Sequence, residues 1–284
     1  MGNTEHNYSD WDIDESDACD NNTTYSEYVK RCTEELNAIY KKAEQGDAEA
    51  QYRLGSCYYN GNGVNKDYAE AVKWYRKAAK QGDAEAQYQL GWCYYYGNGV
   101  SRDEATAEKW WRQAAEQYRQ AAEQGDSEAQ YKLGSCYYNG NGIDEDYDEA
   151  LKWYRQAAEQ GYAKAQFRLG RICQYSDIKK ALKWFHQAAE RGYDRAQFKL
   201  GAFYEDGYEG VNKDEEEAVK WYHKAAEQGN VYAQCSLGRC YQFGRGINKD
   251  EAKAAKWYRK AADQGDRSAW RALRKLRVSH KLQS

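Results

Sequence analysis

The stretch Ala50-Gln51-Tyr52-Arg53-Leu54-Gly55-Ser56-Cys57-Tyr58-Tyr59 is followed by Gly61-Asn62-Gly63-Val64 and then by Trp74 and Ala78-Ala79. The same order of residues returns along the chain. Its simplest marker is the Leu-Gly pair at Leu54-Gly55, Leu90-Gly91, Leu133-Gly134, Leu169-Gly170, Leu200-Gly201 and Leu237-Gly238. Neighbouring pairs lie 36, 43, 36, 31 and 37 residues apart. A period of roughly 20–50 residues is the signature of a stacked repeat, in which each unit buries its apolar face only against its neighbours.

Each copy reads as two antiparallel helices. Ala50, Leu54, Cys57 and Tyr58 fall at i, i+4, i+7 and i+8 and form the apolar stripe of the first. A glycine beside Leu54 costs about 1 kcal/mol of helix propensity, so its return in every copy implies a partner helix crossing too closely for a side chain. Gly61-Asn62-Gly63 supplies the turn. Asp67, Asp103 and Asp250 are placed to cap second helices. Ala71, Trp74, Tyr75 and Ala78 share one face of the second helix, Gly82 ends it, and Asp83 caps the next first helix.

The pattern Ala-x-Ala-Gln-x-x-Leu-Gly-x-x-Tyr-x-x-Gly-x-Gly-Val, with a following Trp and Ala-Ala-x-x-Gly, resembles the Sel1-like repeat, a relative of the tetratricopeptide repeat. The resemblance covers about residues 33–275. It implies an all-α fold, an α/α solenoid coiled as a right-handed superhelix, that works as a non-catalytic protein-interaction scaffold or adaptor. The expected organisation is an acidic, disordered tail over 1–31 and a solenoid over 32–284. Within the solenoid we expect a capping helix at 32–46, six repeats over 47–265 and a basic capping helix at 266–284.

Three copies depart from the pattern. Tyr118–Gly125 nearly duplicates Trp111–Gln117, and seven extra residues turn a helix by about 700°, close to two whole turns. The second helix there can lengthen without rotating its apolar face. In the fourth copy Leu169 and Trp184 are 15 residues apart, against 20 for Leu54 and Trp74, and Gln174-Tyr175-Ser176-Asp177 replaces the glycine turn. The fifth copy gains a residue in Gly207–Gly210. These changes predict a local re-curving of the array.

Composition narrows the function. The 284 residues carry a net charge of −3, contain no proline, and have a mean hydropathy of −1.14. That charge argues against a nucleic-acid-binding surface spread over the chain. No apolar run reaches the ~18 residues of a membrane span, and the first residues lack a signal-peptide pattern. Gly2 lacks the Ser or Thr at position six that myristoylation favours, and the sequons at Asn7, Asn21 and Asn22 matter only after secretion. Cys57, Cys93, Cys136 and Cys240 share a slot with Ile172 and Phe203, and Cys235 one with Tyr52 and Phe167, so the eight cysteines read as reduced packing residues. A cytoplasmic location and a monomer are the corresponding expectations.

No cofactor or metal is expected. Gly-x-Gly is turn punctuation and lacks the third glycine of a dinucleotide loop. The histidines are scattered, and His186 and His223 occupy the same slot as Arg76 and Arg155, which places them on the surface. Ser176-Asp177-Ile178-Lys179 fits the Ser-x-x-Lys signature of penicillin-recognising enzymes. Since some cysteine-rich Sel1-like proteins are linked to β-lactams, a hydrolase using Ser176 and Lys179 is the alternative, and an effector secreted to act on host proteins a second.

The partner-binding candidates lie on the first helices. Tyr52 and Tyr59, then Tyr88, Trp92 and Tyr95, then Tyr131 and Tyr138 recur at helical spacing, and Arg171 and Arg239 continue the series. In related tetratricopeptide arrays this face lines the concave groove. A protein or peptide with apolar and acidic residues would suit a face that runs from aromatic to basic, since aromatic anchors are typical binding hot spots. Trp11–Glu15 of the tail could occupy the same face as an autoinhibitory or dimerising segment.

Overall fold

A computed structural model describes residues 34–207 and 211–281, with side chains through Leu276. The expectations for the tail, for Trp11–Glu15 and for the enlarged turn around Gly210 fall outside the described residues. Every regular element among those described is a helix, fourteen in all. Helix α1 covers 34–44. It is followed by α2 (Ala48–Asn60), α3 (Tyr68–Lys80), α4 (Ala84–Tyr96), α5 (Glu104–Glu123), α6 (Ser127–Asn139), α7 (Tyr147–Glu159) and α8 (Ala163–Cys173). The series continues with α9 (Ile178–Glu190), α10 (Asp194–Asp206), α11 (Glu215–Glu227), α12 (Val231–Phe243), α13 (Glu251–Asp263) and α14 (Arg267–Lys281).

Consecutive helices pair as α2–α3, α6–α7, α8–α9, α10–α11 and α12–α13, the α/α repeat architecture that the periodicity implies. By its contacts the chain divides into two compact units, Met1–Glu116 and Gln117–Ser284.

Local chemistry explains why the helices begin and end where they do. The Asp47 carboxylate accepts from the Ala50 N–H at 2.7 Å, and Asp83 and Asp126 repeat this bond at Ala86 and Ala129. Asp67, Asp146, Asp177, Asp214 and Asp250 cap second helices in the same way, each cap being worth about 1 kcal/mol. Gly61, Gly97, Gly140 and Gly244 end first helices in the left-handed conformation, their N–H groups bonded to the carbonyls of Cys57, Cys93, Cys136 and Cys240.

The core repeats as the helices do. Leu54, Leu90, Leu133, Leu169, Leu200 and Leu237 are buried with the paired alanines of the second helices. The glycine of each Leu-Gly pair is needed for the reason the pattern suggests. A Cβ on Gly55 would lie 2.7 Å from the Tyr75 ring and 3.2 Å from the Ala71 carbonyl oxygen, and Tyr75 is itself buried. Cys93, Cys136, Cys240 and Phe203 are buried in the slot read as apolar, while Cys57 and Ile172 are half-buried. The six described cysteines are free thiols. Burial pushes Cys93 up to about 12 and Cys240 to about 11, so both stay protonated near neutral pH.

Helix α5 has 20 residues where α3 has 13. Ala107, Trp111, Ala114, Tyr118 and Ala122 are all buried, in steps of three or four residues along it. The duplicated segment therefore prolongs the same apolar stripe, as two added turns should.

A row of buried glutamines ties repeat to repeat. Gln51, Gln87, Gln130, Gln166, Gln197 and Gln234 follow the second alanine of each copy and are buried. Each donates its side-chain amide to a carbonyl near the end of the helix before it, as Gln51 does to Ala43 at 3.0 Å and Gln234 to Ala226 at 3.1 Å. Most also accept from the glutamine that ends the next second helix: Gln81 to Gln51 at 2.8 Å, Gln160 to Gln130 at 2.7 Å, Gln228 to Gln197 at 2.7 Å and Gln264 to Gln234 at 2.9 Å.

Candidate functional site

The first helix of each repeat has one face left over after packing. Its exposed positions are those of Glu49, Arg53 and Asn60, and the half-buried Ser56 continues the same stripe at i+7 from Glu49. The candidates Tyr52, Tyr59, Tyr88, Tyr95, Tyr131 and Tyr138 lie one position around the helix and are half-buried. Tyr52 leans on Tyr75 with ring centroids 5.9 Å apart, and Tyr131 leans on Tyr154 at 5.6 Å and Tyr162 at 5.4 Å. Phe167 and Phe198 do the same against Phe185 and Tyr222. These rings line the seam between the two helices of a repeat.

In the first unit the face is aromatic at one place. Trp92 occupies the slot of Ser56, and Trp111 that of Tyr75. In the first repeat the Tyr75 hydroxyl donates to Ser56 Oγ at 3.2 Å. In the second the two indoles meet edge to face at 4.9 Å, and Trp111 Nε1 donates to the Tyr88 carbonyl at 3.2 Å. Tyr95 lies 5.8 Å from Trp92 and 5.6 Å from Trp111. Tyr96, which the periodicity does not single out because Asn60 and Asn139 hold its slot elsewhere, stacks on Trp92 at 5.4 Å with an interplanar angle of 13°. Tyr96 is 62% exposed. Trp92 thus props an exposed ring from below. Tyr59 is held away from this cluster by Tyr68 at 4.9 Å and by Asn98, whose amide donates to its hydroxyl at 3.0 Å.

On α8 and α10 of the second unit the same slots turn basic. Lys164, Arg168 and Arg171 follow one another on α8, and Arg195 and Lys199 on α10. Arg168 lies 4.3 Å from the centroid of Tyr138, which in turn meets Tyr147 at 5.2 Å. Arg171 is exposed. Arg239 is engaged: its guanidinium donates to both carboxylate oxygens of Glu205, at 3.0 and 2.9 Å. Glu205 also accepts from the Tyr222 hydroxyl at 2.6 Å and lies 3.6 Å from Arg245. Arg239 therefore works here as a clamp between α10 and α12.

The remaining chemistry-bearing residues are dispersed. Ser176 and Lys179 are both exposed, and Ser176 Oγ donates to the Cys173 carbonyl at 3.4 Å. His186 corrects the surface reading: it is half-buried against Trp221 at 5.9 Å, with Nε2 3.2 Å from the Tyr204 hydroxyl. Burial there outweighs the attraction of Glu190 and Glu217 and holds its pKa below the usual histidine value. Among the described residues no group of three or more His, Cys, Asp or Glu side chains could hold a metal ion. No helix among them is long and apolar enough to cross a membrane.

The Sel1 repeat pattern matches residues 48–83, 84–117, 118–126, 127–162, 163–193, 194–230 and 231–266. The chain belongs to the Sel1 repeat family. Of these seven matches the short one at 118–126 begins within α5, on the segment that nearly duplicates Trp111–Gln117. Among solved structures, a Sel1 repeat protein of Oxalobacter formigenes superposes with a TM-score of 0.57 at 33% identity, covering 87% of this chain and 81% of that one. An immunity protein of Pseudomonas aeruginosa shares the fold, with a TM-score of 0.57 at 22% identity over 76% of this chain and 81% of its own. The secretory immunoglobulin A-binding protein EsiB of Escherichia coli is 43% identical over 42 residues. That match spans 15% of this chain and 9% of EsiB. Sel1 repeat proteins are typically protein-interaction scaffolds, and their fold is typically non-catalytic.

Proposed function

We propose that this chain is a non-catalytic scaffold that docks a peptide or protein partner on the outward face of its first helices. The observation that carries this reading is the Trp92–Tyr95–Tyr96–Trp111 cluster. Packing needs account for Trp111, which is buried, but not for a tyrosine 62% exposed on a supported indole. Rigid, half-desolvated aromatics supply large contact area at low entropic cost, which is what binding hot spots require. Ser176 and Lys179 lend less support to a hydrolase, since both side chains are exposed and Ser176 Oγ donates to the Cys173 carbonyl.

A displayed peptide library selected on the purified chain tests this. Selected peptides should bind Tyr96→Ser and Trp92→Ala at least tenfold more weakly than wild type. Tyr96 is exposed, so its replacement leaves the fold intact. Peptides that bind all three proteins equally would place the docking surface elsewhere.

A further inference from the structure

The outward face changes sign at one slot. Its first position is Glu49, Glu85 and Glu128 in the first three repeats, but Lys164 and Arg195 in the fourth and fifth. In the third repeat the acid is paired with the next residue of the stripe, Glu128 with Lys132 at 2.9 Å. Where it is lost, Lys164 faces Arg168 at i+4 and Arg195 faces Lys199 at i+4. Like charges at this spacing destabilise a helix by about 0.2–0.5 kcal/mol per pair, and Arg171 adds a third cation to α8. None of these five is in an ion pair among the described residues, whereas Lys73, Lys132, Lys152 and Lys220 are. Arg168 is fixed over Tyr138, and its Nε is buried with no hydrogen-bond partner. Lys199 is half-buried with its Nζ 5.2 Å from the Phe203 centroid. Burial, and then the charge of Arg171, hold its pKa below the ordinary lysine value against the smaller opposing pull of Asp206. The fourth and fifth repeats thus maintain a repulsive group of cations that an anion would relieve.

We propose that Lys164, Arg168, Arg171, Arg195 and Lys199 form a subsite for an acidic peptide segment, read by carboxylates spaced along the two helices. This specifies the partner chemistry of the scaffold reading and rests on it. The patch is short and bounded by acids, Glu128 on α6 and Asp206 at the end of α10. Nucleic acids draw their affinity from neutralising about 6–10 phosphates along a continuous track, which five cations on two helices do not provide. Paired carboxylates match planar guanidinium groups directly.

The test uses fluorescence polarisation of a labelled decapeptide of alternating Glu and Ala, with the Gln-Ala decapeptide as control. The variant is Lys164→Glu/Arg195→Glu, which restores the acid found in the first three repeats. That change creates Glu→Arg and Glu→Lys pairs at i,i+4, so the variant should melt no lower than wild type. The acidic peptide should bind wild type at least tenfold more tightly than the Gln control, and the variant should lose that margin. Equal binding of both peptides, or an unchanged margin in the variant, overturns the subsite. So does tighter binding of a fifteen-residue oligothymidylate or of phosphatidylserine vesicles than of the acidic peptide. If library peptides still depend on Tyr96 when the acidic peptide fails, this inference falls and the scaffold reading stands.

Discussion

The third repeat, α6–α7, and the fourth, α8–α9, are neighbours in the second unit and solve the same packing problem with different equipment. The third has the full set: Asp126 caps α6, Gly140 closes it, and Gln160 donates to Gln130. The fourth starts α8 at Tyr162 with no side-chain cap and shortens the helix to 11 residues. It also places Arg191 where the bridging glutamine should be. The Arg191 guanidinium lies over Gly161, and the Gln166 side-chain carbonyl is left buried without a hydrogen-bond partner. Yet Leu169, Gly170 and Phe185 pack as Leu133, Gly134 and Tyr154 do. The Leu-Gly pair and the ring that covers it carry the fold, while caps, turns and amide bridges can be varied.

If this is right, the two repeats should respond alike to loss of the covering ring. Tyr154→Ala and Phe185→Ala should each cost about 3–5 kcal/mol by chemical denaturation. A much smaller loss at Phe185 would mean that the fourth repeat packs by other means. The amide bridge should distinguish them. Gln160→Arg should destabilise by about 1 kcal/mol through a stranded Gln130 carbonyl, and Arg191→Gln should gain about as much by satisfying Gln166. Thermal melts of both variants read the sign, and two changes of the same sign would break the comparison.

The smallest difference concerns protons. His186 of the fourth repeat stands where the third has the exposed Arg155. With its folded-state pKa lowered from 6.5, the unfolded chain binds the proton more readily. Its contribution is complete above pH 6.5 and is lost as pH falls below that value. His186→Gln should flatten the decline of the melting temperature between about pH 6.5 and 5, and Arg155→Gln should not.

Most of the fold could be read from residue order, because helix stripes, Asp caps and Leu-Gly pairs are local signals within one repeat. Helix α5 was legible too, since seven residues preserve phase. The glutamine row was visible as text but not as structure. Gln51 and Gln81 are 30 residues apart, and only the packing of the helices shows that Gln81 satisfies the buried Gln51 side-chain carbonyl. The recurring aromatics of the candidate face were visible in the sequence, but their half-burial was not, because it depends on rings such as Tyr75, which lies on the other helix of the repeat and meets Tyr52 at 5.9 Å. Tyr96 was missed because its sister positions are asparagine, and the basic stripe because Lys164 and Arg195 stand in for glutamates of opposite charge. Arg239 could not be recognised as a clamp without Glu205, 34 residues away.

The glutamine row has a consequence for how such a chain can change over time. Because the donor and acceptor of each bridge sit at nearly constant separation, the wiring is the same wherever one enters it. A recombination event that excises or copies one whole period rejoins every amide to an equivalent mate, leaving no orphan behind. A cut at any other phase strands two. The array therefore has a natural unit of inheritance, and Arg191 marks a joint where splicing by whole periods would not restore the same bond.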